Sequence, residues 1–369
     1  MGEHLNRLTI RGFKSIRQLE DFEFKSLNVL IGANGGGKSN LISFFRMLQA
    51  IINGNLDSYI RGSGGISDLL FNGRKTTRRL EFETRFGPRG YRFKIKPGRL
   101  RDWALTDEQR YYEHGRSGWW NIPGDNSDGQ SLLVKEASGK DHDAQYSKPV
   151  YDAISSWKIY HFHDTSEEAP MRNEEIVQDN KTLRFNASNI APFLLKLKNE
   201  DEETYEEILQ SCKLVIPYLN DFLLDVERLG RKKTVELSWK AKGSDYPMQP
   251  YHFSDGSIRF ICLATALLQP DPPSSLIIDE PELGLHPAAI SILAELIQNA
   301  SKRTQIIVAT QSPALIDNFS VKDVIVVSRK DGASTFERLN EKDYRVWLES
   351  YSVGELWHKN VISGWPVYG

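Results

Sequence analysis

Lys38 and Ser39, set behind Gly32-Ala33-Asn34-Gly35-Gly36-Gly37, are residue types that handle phosphate. Two glycines with four residues between them, then Lys and Ser, make the phosphate-loop pattern. Glycine lets successive backbone N–H groups converge on an anion, and a helix N-terminus behind the loop adds its dipole. Lys38 then reaches the β- and γ-phosphates of a nucleotide, and the Ser39 hydroxyl ligates Mg²⁺. Asn34, Gly35, Gly36 and Gly37 line the same loop, and Asn40 follows directly. A second cluster, Asp279-Glu280-Pro281-Glu282, ends the apolar run Ser275-Leu276-Ile277-Ile278. This is the form of a Walker B strand. Asp279 holds the metal through water, and Glu280 orients and deprotonates the attacking water. ATP and Mg²⁺ are the cofactors implied. Glu282 reads as a solvated or capping carboxylate.

The elements around these residues suit that chemistry. Leu27-Asn28-Val29-Leu30-Ile31 predicts a short buried strand, and Leu41, Phe44, Phe45 and Leu48 fall at helical spacing after the loop. Ahead of them, Leu8-Thr9-Ile10 and the alternating Phe22 and Phe24 predict two strands joined by a turn. From residue 251, apolar strands (Leu276–Ile278, Ile306–Val308, Val324–Val327) alternate with helices. That pattern argues for a parallel sheet covered on both faces. The fold class expected is α/β, a P-loop head with a mixed or parallel sheet flanked by helices. Residues 1–50 and 251–369 form its ATPase core, and 51–250 an inserted α+β lobe. Within the lobe, 78–96 alternates like strands, 113–150 reads as a long loop or hairpin excursion, and 157–163 as a strand. Residues 189–228 read as short helices and 235–239 as a strand returning to the core. Heptads are not sustained, so no long coiled-coil arm is expected.

Ser254-Asp255-Gly256-Ser257 opens an apolar helix some twenty residues before the Walker B strand. With that turn in this order, the chain resembles the ATP-binding-cassette type ATPases of the RecF, OLD and structural-maintenance-of-chromosomes group. It looks like the compact stand-alone bacterial members, nearly end to end. The resemblance implies that Ser254, Asp255 and Gly256 form a signature turn reaching the γ-phosphate held by a second subunit. Asp255 departs from the familiar Gly-Gly version. Gly12-Phe13-Lys14-Ser15 matches the opening of such chains and makes Lys14 and Ser15 nucleotide contacts. Leu283-Gly284-Leu285-His286-Pro287 matches the segment that crosses the dimer interface. Thr310-Gln311-Ser312-Pro313 holds the switch position, commonly His; Gln311 keeps the hydrogen bond but does not titrate near neutral pH. His163 and Asp164 stand in for a glutamine loop that has no clear glutamine. The resemblance also implies a homodimer closed by ATP and a separately encoded, nuclease-like effector, in anti-phage defence or DNA maintenance.

The rest of the chain bounds these readings. Its 369 residues carry a net charge of −2, so any nucleic acid must meet a local patch. The basic run from Arg74 to Arg101, with Tyr91, Phe93 and Trp103 interleaved, is the candidate for DNA or RNA. Two cysteines, Cys212 and Cys262, point to a reducing compartment. With no signal-like or membrane-spanning apolar run, a cytoplasmic protein is expected. Trp119-Trp120 reads as part of an irregular loop. Two functional readings stay open: an ATP-driven switch, or an ATP-sensing scaffold with slow turnover that restrains an effector. A P-loop kinase or GTPase lacks its base-reading or acceptor-lid motif here and leaves Ser254-Asp255-Gly256 without a role.

Overall fold

The computed structural model describes residues 3–98, 102–113, 117–359 and 361–362. Its centre is a six-stranded sheet in the order Ala333–Arg338, Val324–Lys330, Leu27–Ile31, Gln305–Thr310, Ser275–Asp279, Lys158–Tyr160. The last five strands run parallel; only Ala333–Arg338 is antiparallel, hairpinned to its neighbour.

These strands are mostly apolar because both faces are buried. Val29, Ile31, Leu276, Ile278, Ile306, Val308, Val324 and Val326 face one core. Leu30, Ile277, Ile307, Ala309, Ile325 and Val327 face the other. The period-2 alternation of a strand sends successive residues to opposite sides. On the first side lie the helices Ile190–Glu200, Glu202–Val215, Asp255–Leu268 and Pro287–Ala300. On the second lie the helix Lys38–Ile52 and a six-stranded antiparallel sheet. That sheet has the order Ile16–Glu23, Arg7–Phe13, Leu80–Phe86, Arg89–Lys96, Ala104–Tyr112, Gly118–Asn121.

Several local expectations change. The polar stretch 113–150 holds an edge strand, Gly118–Asn121, and two helices, Leu132–Ser138 and Ala144–Ser156. Few apolar residues suffice there, because each helix buries only one narrow stripe. Leu219–Leu223 is a strand rather than helix, paired with Ser238–Ala241. Val235 and Trp239 fall on two different strands, Lys232–Val235 and Ser238–Ala241. Lys158–Tyr160, from the middle of the chain, is an edge strand of the central sheet itself. Both cysteines are free and buried, and burial pushes the Cys262 thiol up to about 12. No helix among the described residues is long and apolar enough to cross a membrane.

Candidate functional site

In an open parallel sheet, ligands bind beyond the carboxyl ends of the strands. The motif residues gather there. The loop from Ile31 to the helix at Lys38 is clasped from the side by the edge hairpin. Gly37 has φ +122°, and a Cβ on it would lie 2.1 Å from the Ser334 hydroxyl oxygen. No other residue fits. Ser334 is 2% exposed and donates to the Gly36 carbonyl at 2.6 Å. Ser15 Oγ bonds Ser334 Oγ at 2.6 Å and accepts from Asn40 Nδ2 at 2.6 Å. Lys14, in the left-handed region at φ +49°, sends its ammonium to Ser43 Oγ at 2.6 Å. Ser15 and Asn40 thus lie against the loop, and the Lys14 ammonium meets the helix behind it. Asn34 and Gly35 are exposed on the loop, and Ser39 is exposed beside it. Ser334 carried no local signal, being 298 residues from Gly36.

Lys38 is buried, its ammonium donating to the Gly32 and Ala33 carbonyls. Burial pulls its pKa down; the charges of Glu280, Asp279 and Glu282 oppose that. Asp279 pairs with Ala309, which pairs in turn with Leu30. Two strand spacings therefore separate the carboxylate from the phosphate-loop strand, about 10 Å. Burial, then Glu280, raises the Asp279 pKa, while His163, Arg46 and Lys38 lower it. Glu280 is also left-handed, at φ +46°, a conformation that costs about 1–3 kcal/mol and clusters at functional sites. Its N–H donates to the Ala309 carbonyl at 2.7 Å. Its side chain accepts from Gln311 Nε2. The residues suit Mg²⁺: a hydroxyl and a carboxylate are hard oxygen donors, and this ion normally completes its shell with phosphates and water. No group of three or more metal-type side chains occurs among the described residues.

Glu282 is not a solvated carboxylate. It accepts from Thr310 Oγ1 and from the Gln311 N–H at 3.3 Å, while its other oxygen is buried with no partner. Burial raises its pKa. It grips the segment that carries Gln311, and so fixes the amide that holds Glu280. The motif position alone does not reveal this, because the contact depends on the neighbouring strand.

The signature turn sits on the opposite face of the sheet from the helix after the phosphate loop. Ser254 caps its helix, accepting from the Ser257 N–H at 3.2 Å. A Cβ on Gly256 would lie 2.5 Å from the Gly284 carbonyl oxygen, so this turn and the segment after Walker B pack backbone to backbone. The Asp255 carboxylate turns back to Arg172 at 3.2 Å. Arg172 also donates to the Thr165, Pro250 and Phe253 carbonyls. Arg259 donates to Phe162 and His163 carbonyls, at 2.8 and 3.1 Å, and to the Leu283 carbonyl. These two buried arginines tie three loops together. Each bonds backbone carbonyls far away in the chain, which no motif announces.

His163 lies beside the carboxylates, its Nε2 3.1 Å from the Asp279 carbonyl oxygen. Asp164 does not; it is exposed and accepts from Ser166. The basic run also reads differently in three dimensions. Arg74, Arg79, Arg85, Arg89 and Lys94 are ion-paired to Asp102, Glu81, Glu83, Glu3 and Asp107. Tyr91, Phe93 and Trp103 are buried in the core rather than free to stack on bases. Strand alternation turns Tyr91 and Phe93 inward. Arg99 and Arg101 lie outside the described residues. Trp119 is on a strand, with Arg85 and Arg92 over its ring.

Residues 27–317 match the family described as "AAA domain, putative AbiEii toxin, Type IV TA system". No curated protein matches the chain. Among solved structures, the chain is similar to an Smc head crystallised with the C-winged helix domain of ScpA. The two share 19% identity and a TM-score of 0.56 over 92% of this chain and 99% of that one. A Pyrococcus furiosus Smc head with an extended coiled coil gives 19% identity and a TM-score of 0.49, over 94% and 98%. At these identities the likeness is one of fold.

Proposed function

We propose, given that this chain belongs to the AAA-domain family just described and has an Smc-head-like ATPase fold, that it binds and hydrolyses ATP as a two-subunit switch. One observation carries the reading: Lys38, Asp279, Glu280 and Gln311 converge at one end of the sheet. Their roles follow from their chemistry. Backbone N–H groups of Gly35 to Lys38 and the Lys38 ammonium hold the phosphates. Mg²⁺, held by Ser39 and Asp279, would neutralise charge on the β- and γ-phosphate oxygens. Glu280 takes the proton of the attacking water. Gln311 orients the Glu280 carboxylate, and Glu282 holds Gln311 in place.

The hydroxyl of Ser254 and the first N–H groups of its helix form an anion site aimed outward from the opposite face. A second copy would present that turn to the γ-phosphate. ATP then favours the closed pair because only the triphosphate touches both halves. A separately encoded partner extends the reading, in the manner of the ScpA domain bound to the Smc head of known structure. An effector of nuclease type in anti-phage defence is the partner class proposed.

Phosphate release and light scattering on Glu280→Gln test the reading together. The variant is expected to bind ATP, to lose about 10²–10⁴ in turnover and to accumulate dimer. Wild-type turnover in this variant would remove Glu280 as the base.

A further inference from the structure

The fold gathers into one cleft several cations that lie far apart in the chain. The cleft, about 710 Å³, runs beside the edge strand Lys158–Tyr160. Arg46, Lys158, His161, Arg184 and Phe185 line it. Arg46 comes from the helix behind the phosphate loop, and Lys158 and His161 from the edge strand and its end. Arg184 and Phe185 come from the loop before the helix Ile190–Glu200. This set is only partly neutralised. Arg184 pairs with Asp179 at 2.6 Å. Arg46 and Lys158 have no ion pair or hydrogen bond among the described residues. Burial alone lowers the Lys158 pKa, with no acid beside it to oppose the shift. The His161 Nδ1 is buried without a hydrogen-bond partner. Phe185, 63% exposed, lies beside these cations.

A cleft of this volume is the size of a small-molecule or single-nucleotide site. Unpaired cations call for an anion, and an open aromatic face calls for a flat, stackable group. An acidic peptide would answer the charge and leave the ring in water. A phosphate ester bearing a planar base answers both. We propose that this cleft binds a nucleotide unit, free or within a single strand, with phosphate on Arg46, Lys158 and Arg184 and the base against Phe185. The cleft adjoins the nucleotide corner without including the phosphate loop: Arg46 lies eight residues past Lys38, about 12 Å along the helix, and its charge also acts on Asp279. It still communicates with the carboxylates. The His161 ring lies 3.9 Å from that of His163, whose Nε2 contacts the Asp279 carbonyl.

Binding is measured without Mg²⁺ in the full-length Lys38→Ala background, so the outcome does not depend on the ATP reading. The probes are a fluorescein-labelled twenty-nucleotide oligo(dT), followed by anisotropy, and uridine monophosphate, followed by calorimetry. Oligo(dT) is expected to bind with steep salt dependence. Replacing Lys158 and Arg184 together by Glu should weaken it at least tenfold and flatten the log–log salt slope by about 1.4, for two cations on a single strand. Phe185→Ala, at an exposed position that folding does not need, should weaken binding severalfold and leave the slope unchanged. Arg92→Glu, outside the cleft at a side chain held by Gln109, should change neither. If uridine monophosphate binds and responds to the same variants, the natural occupant is a free nucleotide; if only oligo(dT) does, it is a strand. Failure of wild-type cleft residues to bind either probe overturns the proposal. So does binding that survives both the double Glu variant and Phe185→Ala with unchanged thermal stability.

Discussion

The phosphate loop and the signature turn are both glycine-bearing turns at a helix N-terminus, yet they are held by different means. The phosphate loop is closed on itself and pinned by Ser334, with Lys38 folded onto its own carbonyls. The signature turn closes on itself only through the Ser254 cap on Ser257. It rests on the Gly284 backbone and on Arg172 and Arg259, and leaves Ser254 exposed. The first is enclosed by its own segment and the edge hairpin; the second lies exposed on the other side of the sheet. The difference teaches that binding and closure are separable, and substitutions on the two sides should divide accordingly.

Lys38→Ala has the largest expected effect. It removes a charged hydrogen-bonding group from the cradle and should weaken ATP binding about a hundredfold, measured by calorimetry. Normal affinity would mean that the loop does not hold phosphate. Ser254→Arg should act only on the other side. Monomer affinity for ATP is expected to stay intact while ATP-dependent dimer disappears from light scattering. The lost cap costs about 1 kcal/mol of stability, too little to unfold the chain. Loss of monomer affinity in this variant would join the two sides and break the comparison.

Gly256→Ala tests the support of the signature turn. The added methyl meets the Gly284 carbonyl oxygen at 2.5 Å, so the backbone must shift. A destabilisation of about 1–3 kcal/mol by denaturant titration is expected, with dimer formation reduced more than ATP affinity. The smallest effect belongs to Glu282→Gln. Burial raises the carboxyl pKa in the folded protein. The wild-type chain therefore carries a penalty above that folded pKa, which fades as pH falls toward the unfolded value near 4.3. Gln keeps an acceptor for Thr310 without the charge. The variant should melt slightly higher than wild type at pH 7, and the gain should vanish near pH 4. A gain that grows on acidification would show that Glu282 is not a strained carboxylate.

Much of the nucleotide corner was legible because its chemistry is local. Gly32 to Ser39 lie in one turn, and Asp279 and Glu280 stand at the end of one strand, so spacing alone brings them to notice. The role of Glu282 was hidden, because Thr310 and Gln311 come to it from a neighbouring strand. The partner of Asp255 was hidden as well, because Arg172 reaches it from 83 residues away. The pairing of the basic run was hidden for the same reason: Asp102, Glu3 and Asp107 come to it from other segments, and its aromatic residues point into the core.

From the chain alone came the phosphate loop, the Walker B strand, the α/β class and the Smc-like family resemblance. Each depends on contiguous residues or on a periodicity that backbone geometry imposes. Only the folded molecule decided which charges are neutralised, which carboxylates are buried, and which distant side chains share a cleft. Those outcomes rest on distances across strands and loops, and Coulomb interactions and desolvation follow distance in space rather than position in sequence.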